Sequence, residues 1–161
     1  YLLEALQGIE KRNIPYIAKI AGNIDEEIKG EILKKINNLK NTTYLGLVYK
    51  GDKKELLNWS TIFVLPTFYK MEGQPISIIE ALATGNVIIT TNHAGIPDII
   101  SHKINGYIVP QKDGLGILNI LLYLHENKNQ ILNISNYNKT YFVNNFTLKK
   151  FETEIIKIIN C

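Results

Sequence analysis

The chain reads as an α/β domain: a parallel sheet of about five strands with helices on both faces. Two observations predict this. Strand-like and helix-like stretches alternate along the chain, and the stretch from Ile62 to Thr90 reads as one complete βαβ unit. In that unit the apolar run Ile62 to Leu65 ends at Pro66, and a polar loop follows, closed by Glu72-Gly73-Gln74. Pro75 then opens a helix, because a missing N–H is no loss at the first helical position. Gly85 closes the helix as a left-handed stop. Val87-Ile88-Ile89-Thr90, β-branched and apolar, reads as a buried strand.

The other elements follow the same logic. Tyr1 to Ile9 has helical spacing, with Leu2, Leu6 and Ile9 on one face. Tyr16 to Gly22 reads as a strand ending in a glycine turn. Asp25-Glu26-Glu27 starts a helix with acids at its positive end. Ile28, Ile32, Ile36 and Leu39 are its expected buried stripe. Thr43 to Val48 is the next strand, with Tyr49-Lys50-Gly51 at its carboxyl end. Lys53 and Lys54 are expected to be solvated. A short helix ends with Leu56, Leu57 and Trp59, and Trp59 is expected in the core. Beyond the central unit, Asn92 to Pro97 forms a loop before a short helix. The turn Asn105-Gly106 leads into a last strand, Tyr107 to Val109. Leu118, Leu121, Leu122 and His125 line a helix. Lys149 to Asn160 is a final helix, with Phe151, Ile155 and Ile158 spaced on one face.

Composition bounds the function. At 161 residues, 45% of them hydrophobic and 20% charged, the chain is one domain with enough apolar residues for a core. The net charge of +3 comes from lysines scattered among acids, without the basic stripe and interleaved aromatics of a nucleic-acid protein. The single cysteine, Cys161, excludes a disulfide framework and fits a reducing compartment. No apolar run approaches the roughly 20 residues of a membrane helix, and no signal peptide is present. No His, Cys or carboxylate cluster has metal-ligand spacing. Sequons at Asn41, Asn58, Asn133, Asn138 and Asn145 are chance matches in an Asn-rich chain. Gly114-Leu115-Gly116 lacks the third glycine of a dinucleotide fingerprint, since Asn119 stands there. Among the three histidines, His93 has the best position to meet a ligand, although a lone His is more often structural. His102 and His125 are expected on helical surfaces.

The chemistry concentrates at the start of the central helix. The loop after the first strand of a βαβ unit opens at the sheet's carboxyl edge, where open α/β folds bind ligands. The helix start presents free N–H groups there, and its dipole favours an anion. Gly73 permits close approach to the backbone, while Ile76 and Ser77 offer donors for a phosphate. Glu72 lies in the loop and Glu80 about one and a half turns into the helix. Two carboxylates beside a phosphate-ready helix start suit hydroxyl donors, such as a sugar and a ribose. Spacing by itself fits equally well two solvated acids at a helix start.

Glu72 and Glu80, with seven residues between them, resemble the Glu-x7-Glu motif of retaining GT-B glycosyltransferases of the family-4 type. The blocks around them agree: Glu80-Ala81-Leu82-Ala83-Thr84-Gly85, then Gly95-Ile96-Pro97-Asp98, then Asn105-Gly106-Tyr107-Ile108-Val109-Pro110. The resemblance runs through nearly the whole chain. It implies a Rossmann-like C-terminal half of a GT-B fold that binds a UDP- or GDP-linked sugar. By that resemblance Glu72 contacts the donor sugar at the reacting centre and Glu80 holds the ribose hydroxyls. Backbone amides between them, mapping to Gly73, Gln74, Ile76 and Ser77, meet the sugar hydroxyls and diphosphate. No cofactor or metal is expected. Four departures stand out. Gln74 replaces a frequent aromatic and Pro75 a frequent Gly, which removes one donor. Asn86 replaces a frequent Pro, and Asp98 a frequent Glu.

The resemblance also implies a strand before Tyr1, followed by a loop carrying an Arg and a Lys that neutralise the diphosphate. The chain is therefore expected to be a fragment of a two-domain enzyme, residues 1–161 lacking that strand and the N-terminal acceptor domain. The expected setting is cytoplasmic, at the inner face of a membrane in the full-length protein, in surface-polysaccharide synthesis. The fragment alone is expected to be inactive. Two other readings remain: a GT-B-like UDP-sugar epimerase and a non-catalytic nucleotide-binding module.

Overall fold

The computed structural model describes residues 1–159, excepting the side chain of Ile158. Asn160, the expected end of the last helix, Cys161 and the facing of Ile158 lie outside the described residues. The elements alternate as expected. They are α1 (Leu2–Glu10), β1 (Ala18–Ala21), α2 (Glu26–Asn37), β2 (Thr42–Gly46), α3 (Lys50–Trp59) and β3 (Ile62–Leu65). There follow α4 (Ile76–Thr84), β4 (Val87–Thr91), a 3-10 turn (Ile96–Asp98), β5 (Gly106–Val109), α5 (Gly114–Glu126), α6 (Lys128–Asn145) and α7 (Leu148–Ile159).

All strand pairs are parallel. The five strands form two ladders, β1-β2 and β3-β4-β5, rather than one continuous sheet. In the larger ladder β4 is central and all five of its residues are buried. Side chains alternate across it with the strand period of two. Ile62, Val64, Val87, Ile89, Tyr107 and Val109 face α1 and α5, meeting Ala5, Ile9, Ile117 and Leu124. Phe63, Leu65, Ile88 and Ile108 face the other way, onto Ile78, Ala81 and Leu82 of α4 and Leu57 of α3. This is the α/β architecture with helices on both faces.

The β1-β2 ladder is more open. Its side chains alternate between partial burial and exposure. That explains three departures from expectation. Ile28, at the first turn of α2, is 50% exposed, while Ile36 and Leu39 are buried. Two strands are too narrow to cover the whole helix. The second strand stops at Gly46, whose φ of +68° turns the chain, and Leu47 beyond it is exposed. Trp59 is not a core residue: it is 45% exposed, with the Lys19 ammonium 4.0 Å from its ring centroid. Leu57 takes the inward position at this end of α3, and the cation over the indole ring stabilises Trp59 at the surface. Along α7, Phe151 and Ile155 are exposed too.

The turn between α4 and β4 follows its sequence signals closely. Gly85 is the C-cap at φ +79°, with its N–H donating back into the last turn. A Cβ at Gly85 would come within 2.8 Å of Ser135 Oγ and 2.6 Å of Lys139 Cε on α6. Gly85→Ala is therefore expected to cost about 1–3 kcal/mol, from left-handed strain and crowding. Urea unfolding of both proteins measures this; a midpoint unchanged within error would contradict it.

Candidate functional site

The loop between β3 and α4, residues 66–75, opens at the carboxyl end of β3. It is fastened to the end of β4 and to the chain that follows it. Thr91 donates its hydroxyl to the Thr67 carbonyl, and Thr90 donates to the Leu65 carbonyl at 2.8 Å. The Gly95 amide donates to the Gly73 carbonyl at 3.1 Å. His93 Nε2 lies 2.7 Å from the Tyr69 carbonyl, while its Nδ1 lies 3.1 Å from the Gln111 amide nitrogen. A carbonyl only accepts, so Nε2 carries the proton and Nδ1 accepts from Gln111. Both ring nitrogens are thus engaged, and His93 serves as a clamp on the loop. The side chains of Thr67, Thr91 and Gln111 in this clamp carry no local signal in the sequence. Only the pairing of β3 with β4, and of β4 with β5, brings them together.

Glu72 is half-buried in this loop. Its Oε2 accepts from Thr67 Oγ1 at 3.3 Å, the long end of a useful hydrogen bond. Gly73 and Gln74 follow, both exposed. A Cβ added at Gly73 would meet nothing within 4 Å, so open space adjoins its backbone. Gly95 approaches from behind, where its Cβ would lie 3.4 Å from the Gln74 Cβ.

Pro75, expected as the first helical residue, is instead the N-cap of α4 (φ −66°, ψ 113°), and the helix begins one position later at Ile76. No side chain caps this helix start. The first turn closes with the Ile78 amide donating to the Pro75 carbonyl at 3.1 Å. Ile76 and Ser77 occupy the first two helical positions, where N–H groups have no intrahelical acceptor. The Ile76 side chain is 71% exposed while Ile78, two residues on, is fully buried against the sheet.

Glu80 lies further along α4 and is half-buried. Its Oε1 is 2.7 Å from the ammonium of Lys53, on the first turn of α3. Its Oε2 is buried and has no hydrogen-bond partner. Lys53, expected to be solvated, keeps 41% of its side chain exposed but is also paired, because packing of α3 against α4 brings it to the carboxylate. Nothing in the local sequence around Lys53 announces this pairing. Lys112, after β5, lies 5.2 Å from the centroid of the Phe68 ring, so a second cation sits beside the loop.

His102 lies in the turn before β5, not on a helix, because the 3-10 turn ends at Asp98. Its Nδ1 accepts from the Ile108 amide at 3.0 Å, and its ring meets Tyr107 edge-on. His125 is exposed near the end of α5, as expected. Among the described residues no group of three or more His, Cys, Asp or Glu is placed to hold a metal ion. No helix among them is long and apolar enough to cross a membrane.

The site thus combines an uncapped helix start, a clamped loop and two acids at the carboxyl edge of a parallel sheet. Residues 1–151 match the family model described as glycosyl transferases group 1. The chain belongs to this family. An amylovoran biosynthesis glycosyltransferase, AmsK of Erwinia amylovora, is 32% identical over 92 residues, covering 55% of this chain and 23% of that protein. An Escherichia coli UDP-Gal:alpha-D-GlcNAc-diphosphoundecaprenol alpha-1,3-galactosyltransferase is 28% identical over 155 residues, 93% of this chain and 38% of its own length. The group 1 chain therefore spans well under half of these relatives. Among solved structures, Anabaena HepE in complex with UDP-glucose superposes with a TM-score of 0.82 at 16% identity, covering 99% of this chain and 44% of that one. The C-terminal domain of a group 1 glycosyl transferase (LpcC) from Francisella tularensis superposes with a TM-score of 0.78 at 19% identity, covering 91% and 77% respectively. These similarities establish the fold as that of GT-B glycosyltransferases.

Proposed function

We propose that this chain is the donor-binding domain of a retaining glycosyltransferase that takes a sugar from a UDP- or GDP-sugar. The observation that carries the reading is the start of α4, free of any side-chain cap and flanked by Glu72 and Glu80. Donors at Ile76 and Ser77 meet the diphosphate, where the helix dipole favours negative charge. Glu72 faces the sugar, Gly73 and Gln74 line its path, and Glu80 accepts from the ribose hydroxyls. In the transfer the anomeric C–O bond to the diphosphate breaks and the leaving group keeps the electron pair. The acceptor oxygen bonds the anomeric carbon on the same face, and its proton passes to the departing phosphate.

In this reading a separate N-terminal domain binds the acceptor, and a further strand lies between β1 and β3. Each of those strands has a single neighbour, which supports an additional strand there. Cations outside this chain, with no resident metal, neutralise the leaving diphosphate. The names of the relatives support a role in bacterial surface-polysaccharide assembly at a membrane, and the UDP-glucose complex of HepE supports UDP as the carrier.

Calorimetry of nucleoside diphosphates and their sugar conjugates against the intact two-domain protein tests the reading. Tight binding of one conjugate supports it; binding of none contradicts it. Gly73→Val sharpens the test. The new side chain enters open space, so stability is expected to hold while donor affinity falls by about tenfold or more. Unchanged affinity would move the sugar path away from Gly73.

A further inference from the structure

The contact between Lys53 and Glu80 leaves donors unused on one side and an acceptor unused on the other. An ammonium carries three N–H donors, and Glu80 Oε1, at 2.7 Å, engages one of them. Glu80 Oε2 is a buried acceptor with no hydrogen-bond partner. Such an oxygen costs free energy until a donor reaches it. The terminal torsion of a glutamate is soft, so a small rotation brings Oε2 toward an arriving group. A plain staple between α3 and α4 would be a weak, half-exposed ion pair and would leave Oε2 unserved.

A vicinal diol complements this pair. Each hydroxyl both donates and accepts. Its O–H groups match the carboxylate, and its oxygens match the remaining ammonium donors. We propose that Lys53 and Glu80 together recognise the vicinal ribose hydroxyls of the nucleotide, Lys53 donating to a hydroxyl oxygen while Glu80 accepts from the O–H groups. Lys53 suits this part by its place on the first turn of α3, just past the carboxyl end of β2. The inference rests on the donor-site reading above and adds a residue to it. It makes Lys53 a determinant of specificity for ribose over deoxyribose.

The test compares UDP and GDP with their 2′,3′-dideoxy counterparts by calorimetric titration of the full-length protein. Wild type, Lys53→Met, Lys53→Arg and Glu80→Gln are titrated, and thermal melting checks each fold. Wild type is expected to prefer the ribonucleotide. Lys53→Met should cut that preference about three- to tenfold, and Lys53→Arg should keep part of it. Combining Lys53→Met with Glu80→Gln should add little beyond Glu80→Gln alone, since the pair acts as a unit. If Lys53→Met weakens ribo and dideoxy nucleotides equally, Lys53 acts by charge alone and the proposal fails while the donor site stands. If it changes neither affinity but lowers the melting temperature, Lys53 is only a staple; the proposal again fails and the donor site again stands. If wild type binds neither nucleotide, the donor-site reading itself fails and takes this one with it.

Discussion

Glu72→Gln in the full-length protein, read as the proposed glycosyltransferase, is expected to lower turnover by ~100- to 1,000-fold. The charge is what the variant removes, since Gln keeps the shape. Glu72 sits in a loop fastened by Thr91, His93 and the Gly95 amide, so its backbone is held before any ligand arrives. Its one side-chain contact, Thr67 at 3.3 Å, is long, leaving most of its acceptor capacity for a sugar. A positioned carboxylate beside a carbon that gains positive charge as its leaving group departs stabilises the transition state more than the ground state. The loss should therefore appear in kcat as well as in kcat/KM. Glu80→Gln is expected to behave differently, raising the donor KM with a smaller change in kcat, because in the proposed function its ribose contacts are made in both states. Steady-state assays with a radiolabelled donor separate the two. Full activity in both variants would remove both residues from the site.

Asn138→Ala is expected to destabilise the fold by about 2–5 kcal/mol, from two buried carbonyls losing a donor. Asn138, on α6, is fully buried. Its Nδ2 donates to the Asn86 carbonyl at 2.7 Å and to the Asn105 carbonyl at 3.0 Å. Each of those residues anchors a turn of its own. Asn86 Nδ2 reaches the carbonyls of Leu57 and Ser60, and Asn86 Oδ1 accepts from Thr84. Asn105 donates to the Ile99 carbonyl and accepts from the Ser101 amide. One side chain on α6 therefore ties together the turns that enter β4 and β5. Chemical denaturation measures the loss. A change below about 0.5 kcal/mol, the scale of ordinary surface substitutions, would contradict the relay. The sequon at Asn138 lies inside this buried network, which accounts for an asparagine there on structural grounds alone.

The central βαβ unit is legible in the sequence because its signals are local. Gly85 is a left-handed cap wherever it ends a helix, and Val87-Ile88-Ile89 is too apolar and β-branched to lie outside a sheet. Pro75 reads from sequence as the first helical residue and in the structure is the cap; its locked φ and missing N–H are compatible with either place. Asn86 looks from sequence like a tolerable departure; its polar contacts are set by α3 and α6, which are remote in the chain.

Three of the residues whose surroundings differ from expectation share one cause. Residue type and spacing suggest a place for Trp59, Ile28 and Lys53, yet each is decided by what a neighbouring element covers. A two-stranded ladder leaves Ile28 and Trp59 outside, and α3 against α4 draws Lys53 to Glu80. The candidate site is legible in its backbone, through Gly73, Pro75 and the paired acids. The side chains that hold it, Thr67, Thr91, Gln111 and Lys53, come from separate elements and follow only from the fold.

Backbone amide NMR of the full-length protein during titration with a nucleoside diphosphate tests the central claim most directly. The largest shifts are expected at Gly73, Ile76 and Ser77, followed by Glu80. Shifts gathered instead in the groove of about 480 Å³ lined by Lys19, Leu47 and Trp59, with the start of α4 unmoved, would contradict it.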